Sequence, residues 1–228
     1  LPLLWHFDPM KTTLDAAGMN AMARRLQPGL LINERAGAPE DYVTCENECK
    51  PAPHGQDWEM CTCINDIWGY SEHDYNYKTV NQLIFLLVNC ATQGGNLLLN
   101  VGPRADGAVP EQQVKRLEAV GKWLKVHGES VYGTERLKRA FVGSGRITRK
   151  GRRLYIHSFY WTGKTMRLPR LDRETLLGEP GRARVAARVL TTGAKAKASW
   201  DRDVLVISGL PETPPDKADT VVALDVME

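Results

Sequence analysis

Apolar and polar positions follow two different rhythms along this chain, and the change between them divides the sequence into two parts. Up to residue 127, short apolar runs typical of strands alternate with longer segments that have helical spacing. This order predicts βα units around a parallel sheet. From residue 138 onwards, short alternating runs separated by turn residues predict an antiparallel all-β module, a small sandwich.

The spacing of apolar residues predicts helices over residues 12–27, 79–93 and 110–127. We expect each of them to bury its apolar stripe. In the first helix, the positions expected to face the core are Met19, Met22, Ala23 and Leu26. In the third helix, they are Val114, Leu117, Gly121 and Leu124.

Apolar runs in the first part predict strands at residues 3–5, 30–33, 58–64 and 94–103, with a loop over 36–57. The last run is the most informative, because Gly94-Gly95 precedes its apolar residues and Gly102-Pro103 follows them. A continuous apolar run of this kind fits a strand buried on both faces of a parallel sheet. Functional residues collect at the carboxyl ends of such strands, where this sequence places Asn100, Arg104 and Asp106.

Composition adds few constraints, because the 228 residues are 43% hydrophobic and 25% charged, as in ordinary globular proteins. The net charge of +3 is weak, and we interpret the basic cluster at residues 149–153 as a solvated hairpin turn, so no nucleic-acid partner is expected. No apolar run reaches the roughly 18 residues of a membrane span, and no signal peptide is recognised, so no membrane partner is expected. The start at Leu1-Pro2, without methionine, suggests a processed or truncated chain.

The cysteines are unevenly distributed. Cys45, Cys49, Cys61 and Cys63 lie within 19 residues, and Cys90 stands apart. Because C-x3-C followed by C-x-C is not a common zinc spacing, we expect no metal, and instead a disulfide between two of the four or buried thiols. A metal-binding or redox module built on these four cysteines stays open as an alternative.

Several segments carry motifs that occur together in one enzyme family. They are LINER at residues 31–35, Trp58-Glu59 with Cys61, WGY at 68–70, GGNLLLNVGPRADGAVP at 94–110 and GESVYGT at 128–134. In this order they resemble the second half of the catalytic barrel of glycoside hydrolase family 29, the α-L-fucosidases. The resemblance implies an α/β fold, with a partial (β/α) TIM-like barrel over residues 1–135 and a small antiparallel β-sandwich domain over 136–228.

The resemblance also implies an activity, the release of terminal α-L-fucose with retention, by an aspartate nucleophile and a glutamate acid/base and without a cofactor. Asp8 is the carboxylate that matches the nucleophile, although it stands one residue further from Trp5 than the family pattern has it. An alternative is that Asp8 is a helix-capping or turn residue. Glu46 matches the acid/base, with an exposed loop carboxylate as the alternative and Glu59 as a reserve candidate.

The same resemblance implies residues that hold the sugar. Arg35 matches an arginine that contacts fucose, and its rigid fork of donors suits a hydroxyl-rich ligand. The alternative for Arg35 is a salt bridge to Glu34 or Asp41. Trp58 is predicted to be a platform under the fucose methyl group, or else a core residue, and Trp5 and Glu59 complete the expected binding set.

The predicted strands are too few for the barrel that the resemblance implies. Four strands cannot close an eight-stranded barrel, and an open parallel sheet leaves its edges unpaired. We therefore expect a fragment of a longer enzyme, a homo-oligomer of half-barrels, or a short relative with weakened or altered activity. The alternative function is a non-catalytic remnant or fragment that binds fucose without cleaving it. The expected partner is a fucosylated oligosaccharide or glycoconjugate. A secreted, periplasmic or lysosomal location would follow from the family resemblance alone.

Overall fold

A parallel sheet and an antiparallel sheet lie on either side of helices in the residues that the structure describes. The structure is a computed structural model, and it describes residues 15–38, 40–50, 55–137, 141–142, 145–169, 184–202 and 204–227. This arrangement confirms the predicted mixed α/β architecture with its change from parallel to antiparallel pairing. The predicted strand at residues 3–5 lies outside the described residues. The domain boundary at residue 135 stays a prediction.

The helices form where the apolar spacing predicts them. They are α1 (Ala16–Leu26), α2 (Val80–Thr92) and α3 (Glu111–His127). Local capping explains where α2 begins, because the Thr79 side chain accepts from the backbone of Gln82 while the Gln82 side chain accepts from the backbone of Thr79. Pro110 precedes α3, where a missing N–H costs no helical hydrogen bond. None of the described helices is long and apolar enough to span a bilayer.

The parallel sheet contains β1 (Tyr42–Glu46), β2 (Asp57–Cys63) and β3 (Asn96–Asn100), in that order. β2 and β3 confirm two predicted strands, but β1 lies in the segment predicted to be a loop. The strand predicted at residues 30–33 is wrong, because only Asn33 makes an isolated parallel bridge, to Tyr42. A 3₁₀ turn at Glu34–Ala36 then takes the chain away from the sheet.

The prediction that the glycine-bounded strand is buried on both faces is also wrong. β3 has one neighbour within the described sheet, and Leu98 keeps 44% of its surface exposed. Leu97 points the other way and packs beside Trp58 and Met60 of β2. The side chains of a strand alternate between the faces of a sheet, so the run is covered on one side only.

Two of the predicted helix faces need correction. In α1, Met19, Met22 and Leu26 are 50%, 49% and 81% exposed. The helix is attached through polar groups instead, since the Asn20 amide donates to Glu40 at 2.6 Å. In α3, Val114 and Leu117 are more than a third exposed. The buried stripe of α3 consists of Gln113, Val120, Trp123 and His127, and the two polar residues among them are hydrogen-bonded, Gln113 to Gly102 and His127 to the Trp123 carbonyl.

The antiparallel sheet contains eight described strands, and it is one hydrogen-bonded sheet rather than the predicted sandwich of two. They are β4 (Phe141–Val142), β5 (Gly145–Lys150), β6 (Arg153–Ser158), β7 (Thr165–Leu168), β8 (Arg184–Val189), β9 (Lys195–Asp201), β10 (Val204–Ser208) and β11 (Thr220–Met227). Their order is β4-β5-β6-β11-β8-β9-β10-β7. Strands that are far apart in this order contribute to one core, which contains Ile147 of β5, Leu224 of β11 and Leu205 of β10. The sheet therefore curls around that core.

Helix α2 lies between the sheets and contacts both. Its Cys90 packs against Trp58 and Met60 of the parallel sheet. Its Leu83 and Val88 belong to a second cluster, which also contains Trp123 of α3 and Tyr155, Val221 and Ala223 of the antiparallel sheet. The helix layer therefore joins the two sheets through apolar contacts, and the opposite face of the parallel sheet is left for other roles.

Candidate active site

One face of the parallel sheet points away from α2 and carries polar side chains. We call it the open face, and its residues are Thr44, Glu46, Glu59, Cys61, Cys63, Leu98 and Asn100. The strand register places Thr44 beside Glu59 and Glu46 beside Cys61. Because alternate residues of a strand share a face, two carboxyl groups from neighbouring strands lie on the same side of the sheet.

Arg35 holds Glu46 at the carboxyl end of β1. Its Nη1 donates to Glu46 Oε1 at 2.7 Å, and its Nε donates to Thr44 Oγ1 at 2.8 Å. The side chains of Arg35 and Glu46 are 47% and 30% exposed, so a ligand can reach the pair from solvent. Among the described ion pairs, Arg35 pairs with Glu46 and not with the alternative partners Glu34 and Asp41.

The turn before β1 explains why Arg35 reaches the open face. The Asn33 side chain accepts from the backbone N–H of Arg35 at 3.1 Å and caps the 3₁₀ turn. Glu34 then accepts from both the backbone N–H and the hydroxyl of Thr44, at 3.0 and 2.9 Å. The turn and the strand are therefore tied together side by side, which sets the direction of the guanidinium.

Glu59 lies on the same face as Glu46, one strand further into the sheet. Partial burial raises the pKa of Glu59 above its ordinary value, and the positive charge of Arg35 opposes that rise. A carboxyl group in such surroundings keeps its proton to a higher pH than a solvated one. The structure therefore brings Arg35, Glu46 and Glu59 to one face of the sheet, and their roles in a site stay a prediction.

Trp58 does not join this site, and its predicted role as a sugar platform is wrong. It is 2% exposed and lies on the face that packs against α2. Its Nε1 donates to the carbonyl of Gln93 at 3.3 Å. The ring lies so close to the backbone of Gly95 that any Cβ there would overlap it, which explains the second glycine of the Gly94-Gly95 motif. Its alternative interpretation as a core residue is the one that the structure supports.

The polar residues at the end of β3 have structural partners. Asn100 Nδ2 donates to the carbonyl of Trp68 at 2.8 Å, and Asp106 accepts from the backbone of Ala108 at 2.9 Å. The Arg104 guanidinium lies 5.9 Å from the centre of the Tyr70 ring. These contacts join the loops that follow β2 and β3 at the carboxyl edge of the sheet.

A buried polar chain that sequence reasoning missed supports the same edge. Gln113 of α3 accepts from the backbone of Gly102 at 3.0 Å and donates to Asn65 at 3.3 Å. Asn65 donates in turn to Asp74 at 2.8 Å. Burial acts to raise the pKa of Asp74, but hydrogen bonds from Asn65 and the backbone of Asn76, Ile67 and Asp66 hold it below its ordinary value. The only sequence signal was a polar residue at helical spacing in α3.

Exposed aromatic side chains follow β2 at this edge. Trp68, Tyr70 and Tyr75 are 40%, 42% and 76% exposed in the loop between β2 and α2. Aromatic rings with a polar atom at one end suit contacts with ligands that are apolar on one side and hydroxylated on the other. The carboxyl edge of the parallel sheet therefore combines carboxyl groups, a guanidinium and aromatic surface.

The predicted nucleophile Asp8 and the predicted binding residue Trp5 lie outside the described residues. Among the described residues, no group of three or more His, Cys, Asp or Glu side chains is arranged to hold a metal ion. All five cysteines are free thiols, so of the two alternatives for the group of four, a disulfide or unpaired thiols, the structure has the unpaired thiols. Instead, Cys49 contacts the distant Cys90.

Comparison with known proteins gives a consistent result. The sequence model of the family described as alpha-L-fucosidase matches residues 5–129. Tissue alpha-L-fucosidase of Mus musculus is 30% identical over 201 residues, which cover 82% of this chain and 42% of the mouse protein. The chain thus spans less than half the length of this curated relative.

Solved structures extend the likeness to the antiparallel sheet. Alpha-L-fucosidase isoenzyme 1 from Paenibacillus thiaminolyticus is 31% identical, with a TM-score of 0.81 over 94% of this chain and 54% of that one. An alpha-L-fucosidase from Bacteroides thetaiotaomicron, trapped as a covalent intermediate, is 25% identical, with a TM-score of 0.77 over 93% of this chain and 52% of that one.

Proposed function

Since this chain belongs to the alpha-L-fucosidase family, we propose that it forms the second half of a retaining α-L-fucosidase that releases terminal α-L-fucose from fucosylated glycans. The observation that carries the proposal is the pair of Arg35 and Glu46, held at the carboxyl end of a parallel strand and open to solvent. Active sites of (β/α) barrels lie at this end of the strands.

The architecture that we propose is half of a (β/α) barrel over residues 1–135, followed by the curled antiparallel sheet over 136–228. The TM-score of 0.81 over about half of the Paenibacillus enzyme supports the fold, and the family model, which ends at residue 129, supports a change of unit near that point. A closed barrel needs eight strands, so the protein takes the others either from further chain or from a second copy. Light scattering of the purified protein separates these two sources.

In the proposed reaction, Asp8 attacks the anomeric carbon while Glu46 gives its proton to the leaving oxygen. A fucosyl ester on Asp8 forms, and the glycosidic bond breaks. Glu46, now a carboxylate, takes a proton from water, which attacks the same carbon and restores Asp8. The covalent intermediate trapped in the Bacteroides relative supports a mechanism with a covalent step.

Arg35 and Glu59 hold the sugar beside Glu46 in this proposal. Arg35 fixes the carboxyl group through Nη1 and bonds to Thr44 through Nε, which leaves Nη2 of its fork for sugar hydroxyls. Glu59 lies beside Thr44 on the open face, where it can accept from a sugar hydroxyl. Because burial raises the pKa of Glu59, it is also the reserve candidate for the acid/base role.

A second candidate function is fucose binding without turnover. It is favoured by the extra residue between Trp5 and Asp8, which departs from the family pattern at the proposed nucleophile. In that case Arg35 and Glu46 would contact the sugar as they do in the proposed enzyme, but no carboxylate would reach the anomeric carbon.

Hydrolysis of an aryl α-L-fucoside by the purified protein tests the proposal. We expect turnover that is lost in Asp8→Ala, reduced in Glu46→Gln, and kept in Glu48→Gln, which removes an exposed carboxyl group two residues from Glu46. Fucose binding without turnover would establish the second candidate function instead. Turnover that survives in Asp8→Ala would contradict the assignment of the nucleophile.

A further inference from the structure

Two cysteines from distant parts of the chain meet beneath the parallel sheet. Cys49 follows β1 and Cys90 lies in the last turn of α2, 41 residues later, yet their Sγ atoms are 3.8 Å apart. Cys90 is fully buried and also contacts the sulfur of Met60 at 3.8 Å. Cys49 is only partly buried. One thiol of the pair is therefore accessible and the other lies directly behind it.

The surroundings of Cys49 favour its thiolate. The Gln93 side-chain amide donates to Cys49 Sγ at 3.0 Å. The contact with Cys90 lowers the pKa of Cys49, an effect that burial opposes and that the positive charge of Arg146 supports. The same contact, together with burial, raises the pKa of Cys90. The accessible sulfur is thus the better nucleophile, and the buried sulfur keeps its proton.

The other thiols lack this combination. Cys45 Sγ donates to the carbonyl of Lys50 at 3.3 Å, and burial raises its pKa. Burial likewise raises the pKa of Cys61 and of Cys63, both on the open face. No hydrogen bond joins any of these sulfurs to a second cysteine sulfur among the described contacts.

We propose that Cys49 and Cys90 form a dithiol site that exchanges with small disulfides of the glutathione type and closes to an intramolecular disulfide. The Cys49 thiolate attacks one sulfur of oxidised glutathione, forms a mixed disulfide and releases one glutathione thiolate. Cys90 then gives up its proton and attacks Cys49 Sγ, which releases the second glutathione. The protein loses two thiols and is oxidised, and one oxidised glutathione becomes two reduced ones.

The geometry requires only a small movement for this bond. The sulfurs must approach from 3.8 Å to the bonded distance of about 2.05 Å. The bond would tie the segment that follows β1, and thus the strand that ends at Glu46, to α2. The inference goes beyond the proposed function, because its readouts are thiols, bonds and thermal stability rather than hydrolysis.

Thiol counting in glutathione redox buffers tests the proposal. The whole protein is equilibrated over a series of reduced and oxidised glutathione, alkylated under denaturing conditions, and analysed by intact mass and peptide mapping. We expect two of the five thiols to be lost together and the mapped bond to join Cys49 to Cys90. The oxidised protein should melt on the order of 5 °C higher, because the bond closes a long loop.

Three variants define the order of the steps. Cys90→Ala should accumulate one glutathione on Cys49, because the resolving thiol is gone. Cys49→Ser should leave Cys90 unmodified, because that thiol is buried. Cys45→Ser should still form the bond. Five alkylated thiols in the most oxidising buffer, a bond that joins another pair, or no adduct in Cys90→Ala would each overturn the proposal.

Discussion

The two sheets differ in how completely their strands are covered. In β11, at the middle of the antiparallel sheet, Val221, Val222, Ala223 and Leu224 are all fully buried. Val222 and Leu224 face the core inside the curl, and Val221 and Ala223 face the helices. In β3, by contrast, Leu97 and Leu99 pack on the helix side while Leu98 is exposed on the open face.

This difference separates the part of the molecule that stabilises the fold from the part that offers chemistry. A charged side chain is costly to bury without a partner. On the open face, Arg35 and Glu46 form an ion pair and both remain in contact with solvent. The antiparallel sheet uses the inside of its curl for apolar packing, and its buried His157 is paired with Asp219. We therefore expect mutations in the antiparallel sheet to change stability and mutations on the open face to change activity.

The largest expected effect comes from deleting the same side chain in the two sheets. Leu224→Ala removes a fully buried side chain and should reduce the free energy of unfolding by about 2–5 kcal/mol. Leu98→Ala removes a side chain that is 44% exposed, and should cost less than about 1 kcal/mol. Urea unfolding measures both. Equal losses would show that the open face is as covered as the core.

The contact between Gly95 and the Trp58 ring leaves no room for an added methyl group. Gly95→Ala would place a methyl group inside the Trp58 ring, so we expect a loss of about 1–3 kcal/mol from overpacking. Gly121→Ala, in helix α3, meets no neighbour within 4 Å and should stabilise the protein by up to about 1 kcal/mol. Thermal melts of the two variants should therefore shift in opposite directions.

Acid should weaken the helix layer through His127. Burial lowers the pKa of this imidazole, whose Nε2 lies 2.9 Å from Thr191 Oγ1. The unfolded chain takes up a proton below about pH 6.5, while the folded chain resists protonation until a lower pH. The free energy of unfolding should thus fall as pH drops from 7 towards the lowered pKa of His127.

The matched variant His127→Gln keeps a polar group that can bond to Thr191 but cannot titrate. Its stability should fall less steeply over the same pH range in urea titrations. An unchanged slope would mean that other groups cause the acid sensitivity.

The smallest expected effect is local to the loop beside the open face. Asp74 accepts from Asn65 and from backbone amides, and its pKa is held below the ordinary value. The contribution of this carboxylate is present above the ordinary aspartate range and is lost as pH falls through its lowered pKa. Asp74→Asn should therefore be less stable at pH 7 and match the parent protein in acid. Hydrogen exchange of the loop amides reports the difference.

Sequence reasoning predicted the parts of the fold that local periodicity controls. Helix α2 repeats apolar residues at helical spacing and carries a capping box, so both its bounds and its buried face could be predicted. Trp58 to Cys63 and Asn96 to Asn100 likewise form strands where apolar runs occur. The motif resemblance placed Arg35, Glu46 and Glu59 together, which composition alone could not have done.

The errors arose where tertiary contacts override local pattern. β1 lies in a segment whose prolines and glycines predict a loop, yet pairing with β2 and the hydrogen bonds that Thr44 donates to Glu34 make it a strand. The buried stripe of α3 contains Gln113 and His127, which pattern reading assigns to the surface. The contact between Cys49 and Cys90 depends on how α2 lies under the sheet, and no spacing rule contains that information.

Glu46, held by Arg35 on the open face, is the proposed proton donor of fucoside hydrolysis. A general acid matters most when the leaving group is poor, so kcat/KM should be measured on an activated aryl fucoside and on an unactivated glycoside. Glu46→Gln should lose about 100-fold or more on the unactivated glycoside and far less on the activated one, and its pH profile should lose the basic limb. If Glu59→Gln shows that signature and Glu46→Gln does not, the assignment of the acid is wrong.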